Sequence, residues 1–187
     1  PDGYHDISTL MQEIDLYDSI HLSKNNSDEI HITSLGISVP EDSSNLCYIA
    51  AELFLSEFNI KDRVDIVIDK NIPVGGGMGG GSSNASIVLK GLSKLFSIEL
   101  NYELFHKLSR KIGADVAFFF NGGLQYADGI GDQLTPLPRL MDGLYFLIIC
   151  PKISISTPWA YNAYKKYLEN KVNDSNFLPL SEKVDFS

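Results

Sequence analysis

Cysteine is scarce in this 187-residue chain: only Cys47 and Cys150 occur, far apart and in no C-x-x-C pairing. That spacing argues against a disulfide framework or a zinc site and fits a reducing compartment. Long hydrophobic runs are missing too, none approaching the ~20 residues needed to cross a bilayer, and the first residues lack the pattern of a signal peptide. We therefore expect no membrane partner. Positive charge is short: 15 Lys and Arg face 24 Asp and Glu, for a net charge of -9. A nucleic-acid backbone is a poor partner for such a surface, and any phosphate ligand must be held by local amides and a few cations. No internal repeat or low-complexity linker is present. The first residue is Pro rather than Met and residues 169–187 are polar with little periodicity, so the chain reads as cut at both ends.

What is abundant is glycine, concentrated in one place. From Pro73 to Ser83 the sequence runs Pro-Val-Gly-Gly-Gly-Met-Gly-Gly-Gly-Ser-Ser, six glycines in eleven residues. Before it, Val64, Ile66 and Ile68 alternate with Asp65, Val67 and Asp69, the pattern of a half-buried strand ending at Lys70. After it, Ala85, Val88, Leu89, Leu92, Leu95 and Phe96 fall at helical spacing, with Ser82, Ser83 and Asn84 as N-cap types. A glycine run feeding a helix N-terminus lets an anion approach backbone amides at the positive end of the helix dipole. A flexible linker is the bland alternative, but linkers are seldom wedged between a periodic strand and a periodic helix. Gly75, Gly77 and Gly80 satisfy the dinucleotide pattern G-x-G-x-x-G, a near-automatic match in so rich a run. Against it stand the one-sided strand and the weak context of Glu99, the one acid near the expected spacing. A Walker A loop is excluded because no lysine stands between the last glycine, Gly81, and Ser82.

Elsewhere the reading is mixed. Ile14 to Leu22 and Glu29 to Thr33 read as strands of a meander; Leu46, Ile49, Ala50, Leu53 and Phe54 form a helical stripe after Ser43-Ser44. Leu104, Phe105, Leu108 and Ile112 predict a third helix, capped by Asn101 and ended by Gly113. Leu144 to Cys150 reads as an apolar strand, and Thr157-Pro158 as a helix start. Helices and one-sided strands in this order predict α+β layers, in one domain or one domain plus part of another.

Several segments together carry a resemblance: Pro1-Asp2-Gly3-Tyr4-His5, then Pro73 to Ser83 with Asn84-Ala85, then Gly113-Ala114-Asp115-Val116, Gly129-Ile130-Gly131 and Ser156-Thr157-Pro158. In this order they resemble the GHMP kinase superfamily and, within it, the family of 4-diphosphocytidyl-2-C-methyl-D-erythritol kinases, the Pro-Asp-Gly-Tyr-His segment singling out that branch. The resemblance implies an α+β GHMP kinase fold. Residues 1–141 would form a two-layer N-terminal ATP-binding domain of ribosomal-protein type, lacking its first strand, and residues 142–187 the start of an incomplete ferredoxin-like C-terminal domain. It implies transfer of phosphate from ATP with Mg²⁺ to the 2-hydroxyl of a cytidine diphosphate-linked methylerythritol, in the non-mevalonate isoprenoid pathway.

The same resemblance assigns roles. Asp115 matches the catalytic base, although an aspartate before a short apolar segment is on its own most often an N-cap. Pro73, Val74, Gly75, Gly76, Gly77, Met78, Gly79, Gly80, Gly81, Ser82 and Ser83 match the ATP loop, and Asn45 a position near the adenosine. Tyr4 and His5 match a cytidine-recognition pair, Tyr161 an aromatic against the cytosine and Thr157 a threonine near the reacting centre; helix packing beside Trp159 and Tyr164 is the competing role for Tyr161. His21, His31 and His106 read as structural or solvated. No metal-ligating side chain is assigned. The family's catalytic lysine and a second glycine-rich motif have no counterpart here, so the expectation is that this stretch alone turns over weakly or not at all. Two alternatives stay open: a nucleotide-binding module without catalysis, and a small-molecule kinase of other specificity.

Overall fold

The computed structural model describes residues 7–139, 141, 143–151 and 157–170. Its central strand is the one the alternation predicts. Arg63–Lys70 (β4) buries Val64, Ile66, Ile68 and Lys70 on one face, leaving Asp65, Val67 and Asp69 on the other. It lies between Ser19–Asn25 (β2), antiparallel, and His31–Gly36 (β3), parallel. A second sheet pairs Thr9–Gln12 (β1) with Leu124–Asp128 (β5), which also pairs with Gln133–Pro136 (β6), all antiparallel.

The expected meander does not form: β2 and β3 are consecutive but β4 separates them, and their spans are shifted from 14–22 and 29–33. Alternation fixes which residues of a strand face the core but not which strand lies beside it. Because β3 and β4 are parallel, the chain must cross over between them, and helix Leu46–Glu57 (α1) makes that crossing.

Helices α1 and Gly80–Leu95 (α2) pack on each other, and α2 also contacts β2. Phe54, Ala50, Val88, Leu89 and Leu92 are fully buried in one cluster with Ile66 and Ile68. At about 25 cal/mol per Å² of apolar surface, this two-layer core is the main source of stability. Helix Tyr102–Ser109 (α3) closes one end and is capped as predicted, the Asn101 side chain accepting from the Leu104 amide at 2.9 Å. It stops short of Ile112, and Gly113 at φ 175° is ordinary extended backbone, donating its amide to Ser109 at 3.0 Å. The short 3-10 helix Ala114–Phe120 follows.

Two further expectations need correction. Helix α2 starts at Gly80, ahead of Ser82, Ser83 and Asn84, because Gly79 takes the cap position in left-handed conformation at φ 64°. Leu144 to Cys150 forms no strand; no described strand pairs with it, and its apolar side chains are exposed, Tyr145 completely. A strand needs backbone partners that neither sheet supplies here. The last described helix is Thr157–Asn170 (α4). Among the described residues no helix is long and apolar enough to cross a membrane.

Candidate active site

Strand β4, the glycine run and α2 are continuous, so the loop is held at both ends by core elements. Gly75 and Gly77 have φ of 72° and 69°, a region L side chains avoid, and a Cβ on either would meet nothing within 4 Å. Open space over left-handed glycines is where an anion can reach backbone. Helices α1 and α3 are capped by Asn45 and Asn101 side chains, whereas no side chain caps α2. Its N-terminal amides point toward the loop with the positive end of the helix dipole behind them.

The loop separates two cavities. One, about 460 Å³, is lined by Asn45, Lys70, Pro73 to Ser82 and residues before α1. The other, about 320 Å³, is lined by Asp115, Glu13, Ser83, Phe118 and Phe119 with part of β1 and its following segment. Gly77, Met78 and Gly79 line both. A phosphate chain lying along the loop would therefore have one end beside Asn45 and the other facing Asp115. A larger cavity, about 770 Å³ between β3 and α1, touches none of these residues. Its walls include Asp28, Glu29, Glu41, Asp42 and Glu52, which repel a polyphosphate.

Asp115 sits in the first turn of the 3-10 helix, two residues past the cap position, which Gly113 occupies. Much of its surface opens into the cavity, yet the protein crowding its carboxyl raises its pKa above the ordinary 3.8. That direction suits a proton acceptor. The Gly129 to Gly131 turn between β5 and β6 lies against it: a Cβ on Gly131 would stand 3.9 Å from the Asp115 Oδ1.

Beneath the loop lies a pair that sequence reasoning missed. Lys70, 4% exposed, donates from Nζ to Asp18, whose side chain is fully enclosed. Asp18 also accepts from the amides of Asn71 and Ile72, at 2.6 and 2.8 Å, immediately before the loop. Burial alone would raise the Asp18 pKa, but the Ile72 amide, the Lys70 ammonium and the Asn71 amide outweigh it and hold the carboxyl below 3.8. A Cβ on Gly80 would stand 2.9 Å from both Lys70 Nζ and Ile72 Cγ2, so the first residue of α2 is glycine to let that ammonium in. The available signal was parity: Lys70 continues the inward series Val64, Ile66, Ile68. Asp18 gave none.

Asn45 is the N-cap of α1. Its Oδ1 accepts from the Cys47 amide at 2.9 Å, its Nδ2 donates to the Pro40 carbonyl at 2.6 Å, and it lines the larger of the two loop cavities. Cys47 beneath it is buried, which pushes its thiol up to about 12 and leaves it unreactive. His31 pairs with Asp65 at 3.2 Å and His106 meets the Asp132 carbonyl at 3.4 Å; neither lines a loop cavity. Thr157 and Tyr161 lie in the first turns of α4, with side chains outside what is described, and Tyr4 and His5 lie outside the described residues.

The pattern described as "GHMP kinases N terminal domain" matches residues 45–123, from Asn45 through the loop and Asp115. Proteins named 4-diphosphocytidyl-2-C-methyl-D-erythritol kinase are 43% identical to this chain in Caldicellulosiruptor saccharolyticus, over 87% of it and 56% of the relative. The same name applies in Clostridium perfringens, at 43% over 98% of this chain and 64% of the relative. Over most of its length the chain is similar to GHMP kinases. A crystal structure of 4-(cytidine 5'-diphospho)-2C-methyl-D-erythritol kinase superposes with a TM-score of 0.60 at 37% identity, covering 73% of this chain and 48% of the other. The chain thus spans less than two thirds of the length of the relatives it matches. Its α+β architecture agrees with the family expectation.

Two consequences can be measured. Gly77→Ala should cost about 1 kcal/mol of stability through the left-handed backbone while placing a methyl in the open cradle; calorimetric titration should show ADP affinity falling about tenfold or more. The Asp18 pKa is lowered on folding, so its contribution is present above the unfolded value near 3.8 and lost as pH falls through the lower folded value. Thermal unfolding of the double variant Asp18→Asn with Lys70→Met should therefore fall less steeply below about pH 4 than that of the natural protein.

Proposed function

We propose that the intact protein uses ATP to phosphorylate the 2-hydroxyl of 4-diphosphocytidyl-2-C-methyl-D-erythritol, a step of the non-mevalonate isoprenoid pathway carried out in the cytoplasm or plastid. The observation that carries this reading is the glycine loop between two cavities, with Asn45 beside one and Asp115 beside the other. The names of the most similar relatives supply the acceptor.

In this mechanism the loop amides and the N-terminus of α2 hold the triphosphate. Asp115 accepts the proton of the substrate hydroxyl as its oxygen attacks the γ-phosphorus, ADP departs, and the proton remains on the carboxyl until solvent takes it. Mg²⁺ would neutralise charge on the phosphates. Ser83 and the carboxylates of Asp115 and Glu13 are hard oxygen donors on the right cavity, and among the described residues no cluster of three or more ligating side chains offers a dedicated cage. A magnesium ion held chiefly by substrate phosphates fits such a donor set. Tyr4, His5, Thr157 and Tyr161 are our candidates for holding the cytidine and the acceptor. Residues 142–187 would open a second, substrate-binding domain after an ATP-binding domain ending at 141. The exposed run Leu144 to Ile149 supports that division, because so long an exposed apolar segment calls for a partner surface to cover it.

Coupled ADP release from the intact protein, offered the cytidyl-erythritol, mevalonate, homoserine and galactose in turn, tests the proposal. Turnover with the first alone is expected. Preference for another acceptor would replace the substrate assignment, and nucleotide binding without turnover on any of them would favour the non-catalytic module.

A further inference from the structure

The 3-10 helix that carries Asp115 is tied to the helix that leaves the loop. Lys90, half-buried on α2, donates from Nζ to the carbonyls of Phe119 and Phe120, both at 2.8 Å, and stands 5.4 Å from the centre of the Phe120 ring. These carbonyls end the 3-10 helix, where a cation is favoured by the negative end of the helix and by acceptors lacking intrahelical partners. The Phe119 ring in turn faces the loop: a Cβ on Gly79 would come within 3.1 Å of its Cζ. Phe119 also lines the Asp115 cavity together with Gly77 and Gly79.

We propose that Lys90 is a positioning residue, which clamps Phe119 as a spacer between the glycine loop and Asp115 and so fixes the distance over which phosphate is transferred. Lys90 lines neither cavity, and it is joined to the site through the Phe119 backbone, whose ring is packed on Gly79. Without the ammonium, two half-buried carbonyls lose their donor and the end of the 3-10 helix can shift. The loop can still bind nucleotide, but the carboxyl at the other end of that short helix is no longer held at its transfer position. The effect on turnover rests on the kinase reading; the clamp itself does not.

The test compares Lys90→Met and Lys90→Arg in the intact protein by turnover, by ATP affinity and by amide hydrogen exchange. For Lys90→Met we expect kcat to fall about 10- to 100-fold with ATP affinity within about twofold, and exchange to rise together in peptides spanning 75–83 and 114–122. The arginine variant, which keeps the donors, should recover most of both. Exchange that rises only around residue 90, or unchanged kcat with intact exchange coupling, overturns the proposal. If the natural protein transfers phosphate to no acceptor, the function reading fails, while the exchange pattern still decides the clamp. Should Lys90→Met not fold, Phe119→Leu shortens the spacer with the carbonyl kept, and exchange in 75–83 must rise.

Discussion

Asp115→Asn should cut phosphoryl transfer by orders of magnitude while leaving ATP binding nearly intact. Asparagine keeps the shape and one acceptor oxygen but takes no proton at neutral pH, so the step that needs a base loses it. General-base catalysis contributes about 10²- to 10⁴-fold, and kcat should fall by that factor. ADP and ATP affinities, read by calorimetry, should stay within about twofold because the loop is untouched. The crowding that raises the Asp115 pKa adds a second signature: the acid limb of kcat/KM should lie above the ordinary carboxylate value of 3.8 and vanish from the residual activity of the variant. Unchanged turnover would remove Asp115 from the mechanism.

The second large effect concerns folding. Lys70→Met strips the cation from a fully enclosed Asp18 and should destabilise the protein by about 3–5 kcal/mol, since an unpaired buried charge is the costly state. Adding Asp18→Asn should restore most of that loss, because the pair is removed together and an asparagine oxygen can still accept the Asn71 and Ile72 amides. Denaturant unfolding of the two singles and the double closes the cycle. If the double variant is no more stable than Lys70→Met, the pair is not the anchor of the loop.

Much of this was legible from residue order. Alternation through Val64, Ile66 and Ile68 placed β4 and its buried face, Asn101 marked the start of α3, and the glycine run between strand and helix announced an anion cradle. These are local signals, in which a few neighbouring residues determine backbone conformation or a cap. Pairing was not legible, because β4 enters between β2 and β3 through contacts 34 to 50 residues apart that no period encodes. For the same reason Asp18, 52 residues from Lys70, and Phe119, facing Gly79, were invisible as site residues. The start of α2 was misread because serine and asparagine are better caps in general, while here Gly79 adopts the left-handed conformation and begins the helix earlier. Leu144 to Cys150 has a strand's composition without a partner among the described residues. Composition states what a segment can bury, and only the rest of the fold decides whether it is buried.

The central claim is that one nucleotide lies along the loop from the Asn45 cavity to the Asp115 cavity. A crystal structure of the intact protein with a non-hydrolysable ATP analogue tests it most directly. The account predicts the base on the Asn45 side, the phosphates against Gly75 to Ser83, and the terminal phosphorus facing Asp115. A nucleotide bound elsewhere, or reversed with its base beside Asp115, would contradict it.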